Sequence, residues 1–162
     1  MFLLRTQAWV RQLLAEDFSA PCREDRFCVP CAAAFCDHCC GARHRGQGHE
    51  VVIRAAAAAA AASGGTQPGA AQGPARSGDR DSFCMSCGAG FSAALCGHHA
   101  GHDTLRIVVC EGRYCARCTG SEPWFHLFTG IETYRDEKGH ILVPLHPRCR
   151  GRRCLSCGRC CA

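Results

Sequence analysis

Large side chains are scarce in this chain. Of its 162 residues only eight are Phe, two Trp and two Tyr, too few to fill more than a small core. No apolar run approaches the roughly 18 residues that a membrane span needs. Arg5 breaks the apolar start Met1-Phe2-Leu3-Leu4 before a secretory core can form. No membrane association is therefore expected. Catalytic signatures are missing as well. There is no His-Glu-x-x-His, no His-x-Glu ahead of Pro-Cys-x-x-Cys, no phosphate-binding P-loop and no Gly-x-Ser-x-Gly. Cys28 lies near Pro30, but nothing in the sequence sets a base beside it. These absences argue against an enzyme, and no residue is assigned a catalytic role.

What the chain has in excess is sulfur and imidazole: 17 Cys and nine His. Such density belongs either to secreted disulfide scaffolds or to intracellular zinc proteins. An odd number of thiols cannot all pair, and a disulfide framework has no use for interleaved His. The pattern points to zinc in a reducing compartment. Cys28-x2-Cys31 and Cys36-x2-Cys39 are followed by His44 and His49. A second run, Phe83-Cys84-x2-Cys87 with Cys96, His99 and His102, begins in the same way as Phe27-Cys28-x2-Cys31. Thiol pairs two residues apart, followed by paired imidazoles, suit tetrahedral zinc.

The candidate ligand sets follow from spacing. Cys28, Cys31, His44 and His49 form one. Cys36 and Cys39 would join Cys22 and a further group, for which Asp25 is a candidate and His38 and Cys40 are substitutes. Cys84, Cys87, His99 and His102 form another, with Cys96 or His98 competing. Tyr114-Cys115-x2-Cys118 resembles one more knuckle, able to close an all-thiolate site with Cys154-x2-Cys157. A catalytic zinc keeps an open coordination position with an acid or base nearby, and nothing here supplies one.

The expected fold class is small, zinc-stabilised α+β. Residues 1–54 would form an N-terminal helix and a zinc module, and residues 83–162 a second zinc-binding module with a β-hairpin and a basic Cys-rich tail. Residues 55–82, with eight consecutive Ala and then a Gly/Pro/Ser-rich stretch, read as a disordered linker that leaves the modules independent. Trp9, Val10, Leu13, Leu14 and Phe18 share one helical face, expected to dock on the first module, with Pro21 closing the helix. A helix from Ser121 to Gly130 would bury Trp124, Phe125 and Phe128. Ile131–Tyr134 and Ile141–Leu145 read as a hairpin with Gly139 in its turn and, because of Pro144, an edge strand.

The net charge is +5, and Arg148, Arg150, Arg152, Arg153 and Arg159 account for all of it. The other fourteen basic and fourteen acidic residues cancel. A basic tail of this kind suits nucleic-acid phosphate.

Taken together these residues resemble the PLATZ family, the plant AT-rich sequence and zinc-binding proteins. Trp9-Val-x-x-Leu13-Leu14 with Phe18 and Cys22 is similar to its opening helix. Phe27-Cys28-x2-Cys31, Cys36-x2-Cys39, His44, His49 and Val52-Ile53-Arg54 are similar to its B-box-like zinc region. Ile131–Tyr134, Ile141–Leu145 with Arg148, and Cys154-x2-Cys157-x-Arg159 are similar to its later hairpin and closing thiols. Asp25 stands where the family has His, and the zinc-region pattern occurs twice. The resemblance implies a nuclear, zinc-dependent protein that binds A/T-rich DNA and represses transcription. The five tail Arg would serve as DNA contacts, since narrow A-tract minor grooves attract Arg.

Two alternatives remain open on the sequence. B-box-like modules also serve as protein–protein adaptors, and the balanced charge of residues 1–147 suits that role. A RING-type ubiquitin ligase is suggested by Cys84-x2-Cys87-x8-Cys96-x2-His99-x2-His102, but Leu105 stands where that pattern requires Cys. All three readings need metal. Pieces of about 54 and 80 residues bury too little apolar surface to fold without staples. Structural zinc supplies on the order of 10–16 kcal/mol in finger peptides. A strong chelator is therefore expected to abolish the near-UV circular dichroism of the protein, and an unchanged spectrum would refute metal-dependent folding.

Overall fold

The computed structural model describes residues 2–54 and 75–145. In chain order the elements are α1 (Phe2–Ala15), β1 (Cys22–Arg23), β2 (Arg26–Cys28), β3 (Ala33–Phe35), α2 (Asp37–Gly46) and β4 (Val51–Ile53). Then come β5 (Ser77–Gly78), β6 (Ser82–Cys84), β7 (Ala89–Phe91), a 3-10 turn at Gly97–His99, β8 (Thr104–Cys110) and β9 (Arg113–Cys118). A 3-10 turn at Phe125–Phe128, β10 (Tyr134–Arg135) and β11 (Ile141–Pro144) complete the order. The class is small α+β, with strands outnumbering helices among the described residues. None of these helices is long and apolar enough to cross a membrane.

The chain divides into two compact units, one within Phe18–Thr104 and the other within Met1–Asp17 and Leu105–Ala162. This departs from the division into 1–54 and 83–162, because both Cys/His runs fall in the first unit. The physical reason is visible in β1 and β5. Cys22 pairs with Gly78 and Arg23 with Ser77, while the Glu24 N–H donates to the Arg76 carbonyl at 2.9 Å. Residues 75–82, expected to be linker, are thus ordered by backbone pairing to the first run. Residues 55–74 lie outside the described residues.

Within the first unit the chain builds one motif twice. Strands β2 and β3 pair with Cys28 opposite Ala33 and Arg26 opposite Phe35; β6 and β7 pair with Cys84 opposite Ala89 and Ser82 opposite Phe91. One interval relates Cys22 to Gly78, Asp25 to Asp81, Cys28 to Cys84, Cys31 to Cys87, Phe35 to Phe91 and Cys40 to Cys96. Because Cys22 pairs antiparallel with its own counterpart, Gly78, an approximate two-fold axis passes between the copies. The core around them is made largely of thiols. Seven of its ten buried members are Cys, and only Phe35 and Phe91 are large apolar residues. This cluster has little hydrophobic driving force of its own.

The second unit is a more ordinary core. Strand order is β10-β11-β9-β8, all antiparallel. Ile107, Ala116, Leu142, Val143 and Leu145 are buried, as are Trp9 and Leu13 of α1. Trp9 meets Trp124 edge-on at 5.4 Å and Phe128 at 6.2 Å between ring centroids. The face of α1 therefore packs on the aromatic turn of this unit, where docking on the first zinc run was expected. Edge-to-face aromatic contacts of this kind add about 0.5–1.5 kcal/mol to the burial itself.

Several local expectations are corrected. Helix α1 stops at Ala15, well before Pro21; the Glu16 N–H reaches back to the Leu13 carbonyl at 3.3 Å, and the Asp17 N–H donates to Glu16 Oε1 at 3.1 Å. The helix expected from Ser121 shortens to one 3-10 turn at Phe125–Phe128. Ahead of it the Glu122 carboxylate accepts the Thr119 N–H at 2.6 Å and the Gly120 N–H at 2.8 Å, closing a tight turn. The hairpin forms with Gly139 at φ 82 and Asp136 accepting both the Lys138 and His140 N–H groups. Its second strand, however, is interior, lying between β10 and β9. Pro144 is tolerated because two-residue β10 pairs only with Ile141 and Leu142 and stops short of it.

The paired turns expose one strained position. Gly88 closes the second Cys-x2-Cys turn with φ 69, where glycine carries no steric cost. Its counterpart Ala32 has φ 51, in the left-handed region that an L-residue enters at a cost of about 1–2 kcal/mol. Ala32→Gly is expected to stabilise the metal-loaded protein by about 0.5–1 kcal/mol, once the entropy of an added Gly is offset. Thermal melts at fixed free metal measure this, and a lowered melting point would contradict the turn assignment.

Candidate metal centres

Each copy of the motif draws four ligand groups together. Cys28, Cys31, His44 and His49 place their ligand atoms within 4.8 Å of one another, and so do Cys84, Cys87, His99 and His102. Folding accounts for the arrangement. The two thiols come from the tight turn between β2 and β3, or β6 and β7. The first His comes from the helical segment that follows, α2 or the 3-10 turn at Gly97–His99. The second precedes the next strand.

The spacings suit a shared ion. His49 Nδ1 is 3.3 Å from both Cys28 Sγ and Cys31 Sγ, and His44 Nδ1 is 3.9 Å from Cys31 Sγ. In the second set His102 Nδ1 is 3.3 Å from Cys84 Sγ and 3.5 Å from Cys87 Sγ. Metal–sulfur bonds of about 2.3 Å and metal–nitrogen bonds of about 2.0–2.1 Å give tetrahedral S···N edges of about 3.6 Å. The Cys87 N–H also donates to Cys84 Sγ at 3.4 Å, which stabilises a thiolate there.

The first imidazole of each set is buried and stacked. Phe35 lies on His44 and Phe91 on His99, each with ring centroids 4.0 Å apart. His99 Nε2 is 3.7 Å from Cys40 Sγ, while His99 Nδ1 is buried with no hydrogen-bond partner. A buried nitrogen left unpartnered is costly. A cation shared with Cys84, Cys87 and His102 would satisfy it, and the contact with Cys40 would orient the ring. Burial, with a smaller contribution from the Arg43 charge, lowers the pKa of His98 and His99; burial also lowers that of His44, ahead of its neighbours His98 and His49. Neutral imidazole is the form that binds a metal.

A third group, Cys22, Cys36 and Cys39, also converges, entirely buried. Asp25, expected as its fourth member, is elsewhere. Its Oδ1 accepts the Asp37 N–H at the start of α2 at 3.5 Å, and its Oδ2 faces Arg26 at 3.9 Å. Asp81 does the same in the second copy, accepting the Ala93 N–H at 2.9 Å. The aspartate is a bracket of the motif, not a ligand. Cys96, which spacing allowed to compete for the second set, instead lies 3.3 Å from Cys22 Sγ and 3.5 Å from Cys39 Sγ. Cys39, Cys40 and His99 make a further cluster. Hydrogen bonding from Cys36 and then Cys39 lowers the pKa of Cys22; contacts led by Cys22 raise that of Cys39; and Cys40 falls to about 4 through Cys39 and then Cys96. Crowded thiols without a cation ionise only in part.

The knuckle expected at Cys115-x2-Cys118 is absent. Both residues sit in β9, where three-residue separation puts side chains on opposite faces, so they cannot grip one ion. Both are buried and hydrogen-bond to carbonyls of their own strand, Arg113 and Ala116. Burial raises both thiols, Cys118 to about 12. The partner pair Cys154 and Cys157, and the basic residues Arg148, Arg150, Arg152, Arg153 and Arg159, lie outside the described residues. All twelve described Cys are free thiols. Sequence reading missed the pairing of Cys22 with Gly78 and the resulting approach of Cys96; the equal interval between the copies was the available signal.

No protein-family model, curated protein or solved structure matches the chain.

Acid should undo these centres. In the unfolded chain imidazoles take up protons near pH 6.5, whereas His44, His98 and His99 in the fold resist until lower pH. The unfolded state binds more protons across that window, so their contribution to stability is complete above it and is lost as pH falls through it. Thiol ligands release protons on binding metal and act in the same direction. Melting points at fixed free zinc are expected to rise with pH up to about pH 8.5, where free thiols ionise, and to drop most steeply below about pH 6.5; greater stability at pH 5 than at pH 7 would contradict this.

Proposed function

We propose that the chain is a zinc-organised DNA-binding protein that acts in the nucleus, prefers A/T-rich duplex and represses transcription. The observation that carries the reading is the pair of four-ligand sets, each with two thiols and two imidazoles. Two thiolates and two neutral imidazoles balance a divalent cation, and soft sulfur with imidazole suits zinc. Four protein ligands leave no open position for a substrate or an activated water, which supports a structural ion in a binding protein rather than an enzyme. The choice of DNA as partner rests on the PLATZ resemblance and on the five Arg that hold the whole net charge.

A protein–protein adaptor is the second reading, favoured by exposed apolar side chains of β4 and the turn after β2. Val52 and Ile53 in β4 are 47% and 70% exposed, and Val29 is 47% exposed. Apolar side chains at the edge of the β3-β2-β4 sheet suit a protein contact better than a phosphate backbone. The RING-type ligase loses its support, since Cys96 faces Cys22 and Cys39 instead of completing the second set.

A mobility shift on A/T-rich duplex separates the readings. Binding that requires both zinc and the Arg tail is expected. Each phosphate contact contributes about 0.9 to the slope of log affinity against log salt. Arg150→Ala, Arg152→Ala and Arg153→Ala together should therefore flatten the slope by about two to three. An unchanged slope removes the tail from the contact, and no shift at any salt favours the adaptor.

A further inference from the structure

The thiols Cys22, Cys36 and Cys39 converge in the first copy of the motif but are one donor short of a tetrahedral set. Asp25 is committed to the start of α2. A fourth sulfur approaches two of the three from the second copy. Cys96 Sγ stands 3.3 Å from Cys22 Sγ and 3.5 Å from Cys39 Sγ, and the latter two are 3.9 Å apart. Four sulfurs around zinc at about 2.3 Å have edges of about 3.8 Å. All four residues are buried, the most exposed being Cys39 at 7%.

We propose that Cys22, Cys36, Cys39 and Cys96 form a further, all-thiolate zinc centre whose fourth ligand is lent across the approximate two-fold axis. The proposal rests on the reading that the chain binds zinc. Each thiol gives its proton to solvent as the ion enters. Cys36 caps α2 and Cys39 lies in its first turn, where the positive end of the helix favours thiolate.

The motif occurs twice, yet only one such centre is possible. The counterparts of Cys22, Cys36 and Cys39 are Gly78, Ser92 and Leu95. They pack together as the thiols do: a Cβ on Gly78 would lie 2.8 Å from Ser92 Oγ and 3.1 Å from Leu95 Cδ1. The second copy lacks these three sulfurs but carries Cys96, which faces Cys22 and Cys39 of the first. Cys40, the counterpart of Cys96, has no equivalent set to complete and sits against His99 Nε2. Cys40 is also 3.5 Å from Cys39, so it is the competitor that a test must exclude.

Cadmium-113 NMR on the full chain decides between them, with native mass spectrometry for the ion count. The expected result is one resonance in the four-sulfur range whose through-bond correlations reach the β-protons of Cys22, Cys36, Cys39 and Cys96. Cys96→Ser should remove that resonance and one ion, leaving two resonances of mixed sulfur–nitrogen type. Cys40→Ser and Cys154→Ser should retain it. Should Cys96→Ser fail to fold, the correlations in the unaltered protein still decide. Coupling of Cys40 instead of Cys96, two mixed resonances alone, or a disulfide involving Cys96 would each overturn the centre. A chain that takes up no cadmium at all would overturn the zinc reading together with it.

Discussion

Convergence of sulfur and imidazole on shared points is what the unit within Phe18–Thr104 depends on. Around its ligand sets the interior is built mostly from Cys, with two Phe laid flat on two His; Phe18 and Phe83 are buried as well. Thiols contribute little hydrophobic energy, and clustered thiolates repel one another. Left alone, such an interior would not hold short strands and a ten-residue helix together. A divalent ion reverses each of these deficits at once, because it supplies the charge that allows ionisation and the bonds that fix geometry. The second unit differs in kind: its aromatic cluster and antiparallel strands bury ordinary apolar side chains.

The ligand pairs were legible in the sequence because their chemistry is local. Cys-x2-Cys in a turn brings two thiols to one point whatever surrounds it, and both mixed sets could be written down from spacing. The same spelling misled at Cys115 and Cys118, since the backbone there is a regular strand whose alternation separates the pair. Nothing in the four letters distinguishes turn from strand. The flanking residues do: the β-prone run Thr104–Cys110 before it and Gly112 with φ 73 between the strands make a hairpin.

What stayed hidden was long-range. The helix face of Trp9 and Leu13 was readable as a face, but its partner, the turn holding Trp124 and Phe128, lies more than a hundred residues later. The break assumed between the halves followed composition, and composition does not reveal that Arg76–Gly78 returns to pair beside Cys22. The role of Asp25 also depended on tertiary placement. A carboxylate beside thiols invites a ligand assignment, whereas its duplicate Asp81, accepting an amide in the same way, identifies a structural bracket.

The packing around Gly78 makes the two copies of the motif unequal. A Cβ there would lie 2.8 Å from Ser92 Oγ and 3.1 Å from Leu95 Cδ1, so a thiol at this position needs both side chains to move. Gly, Ser and Leu stand where the first copy carries three sulfurs. The halves of the repeat are therefore not interchangeable, and exchanging one for the other would not reproduce the same interior.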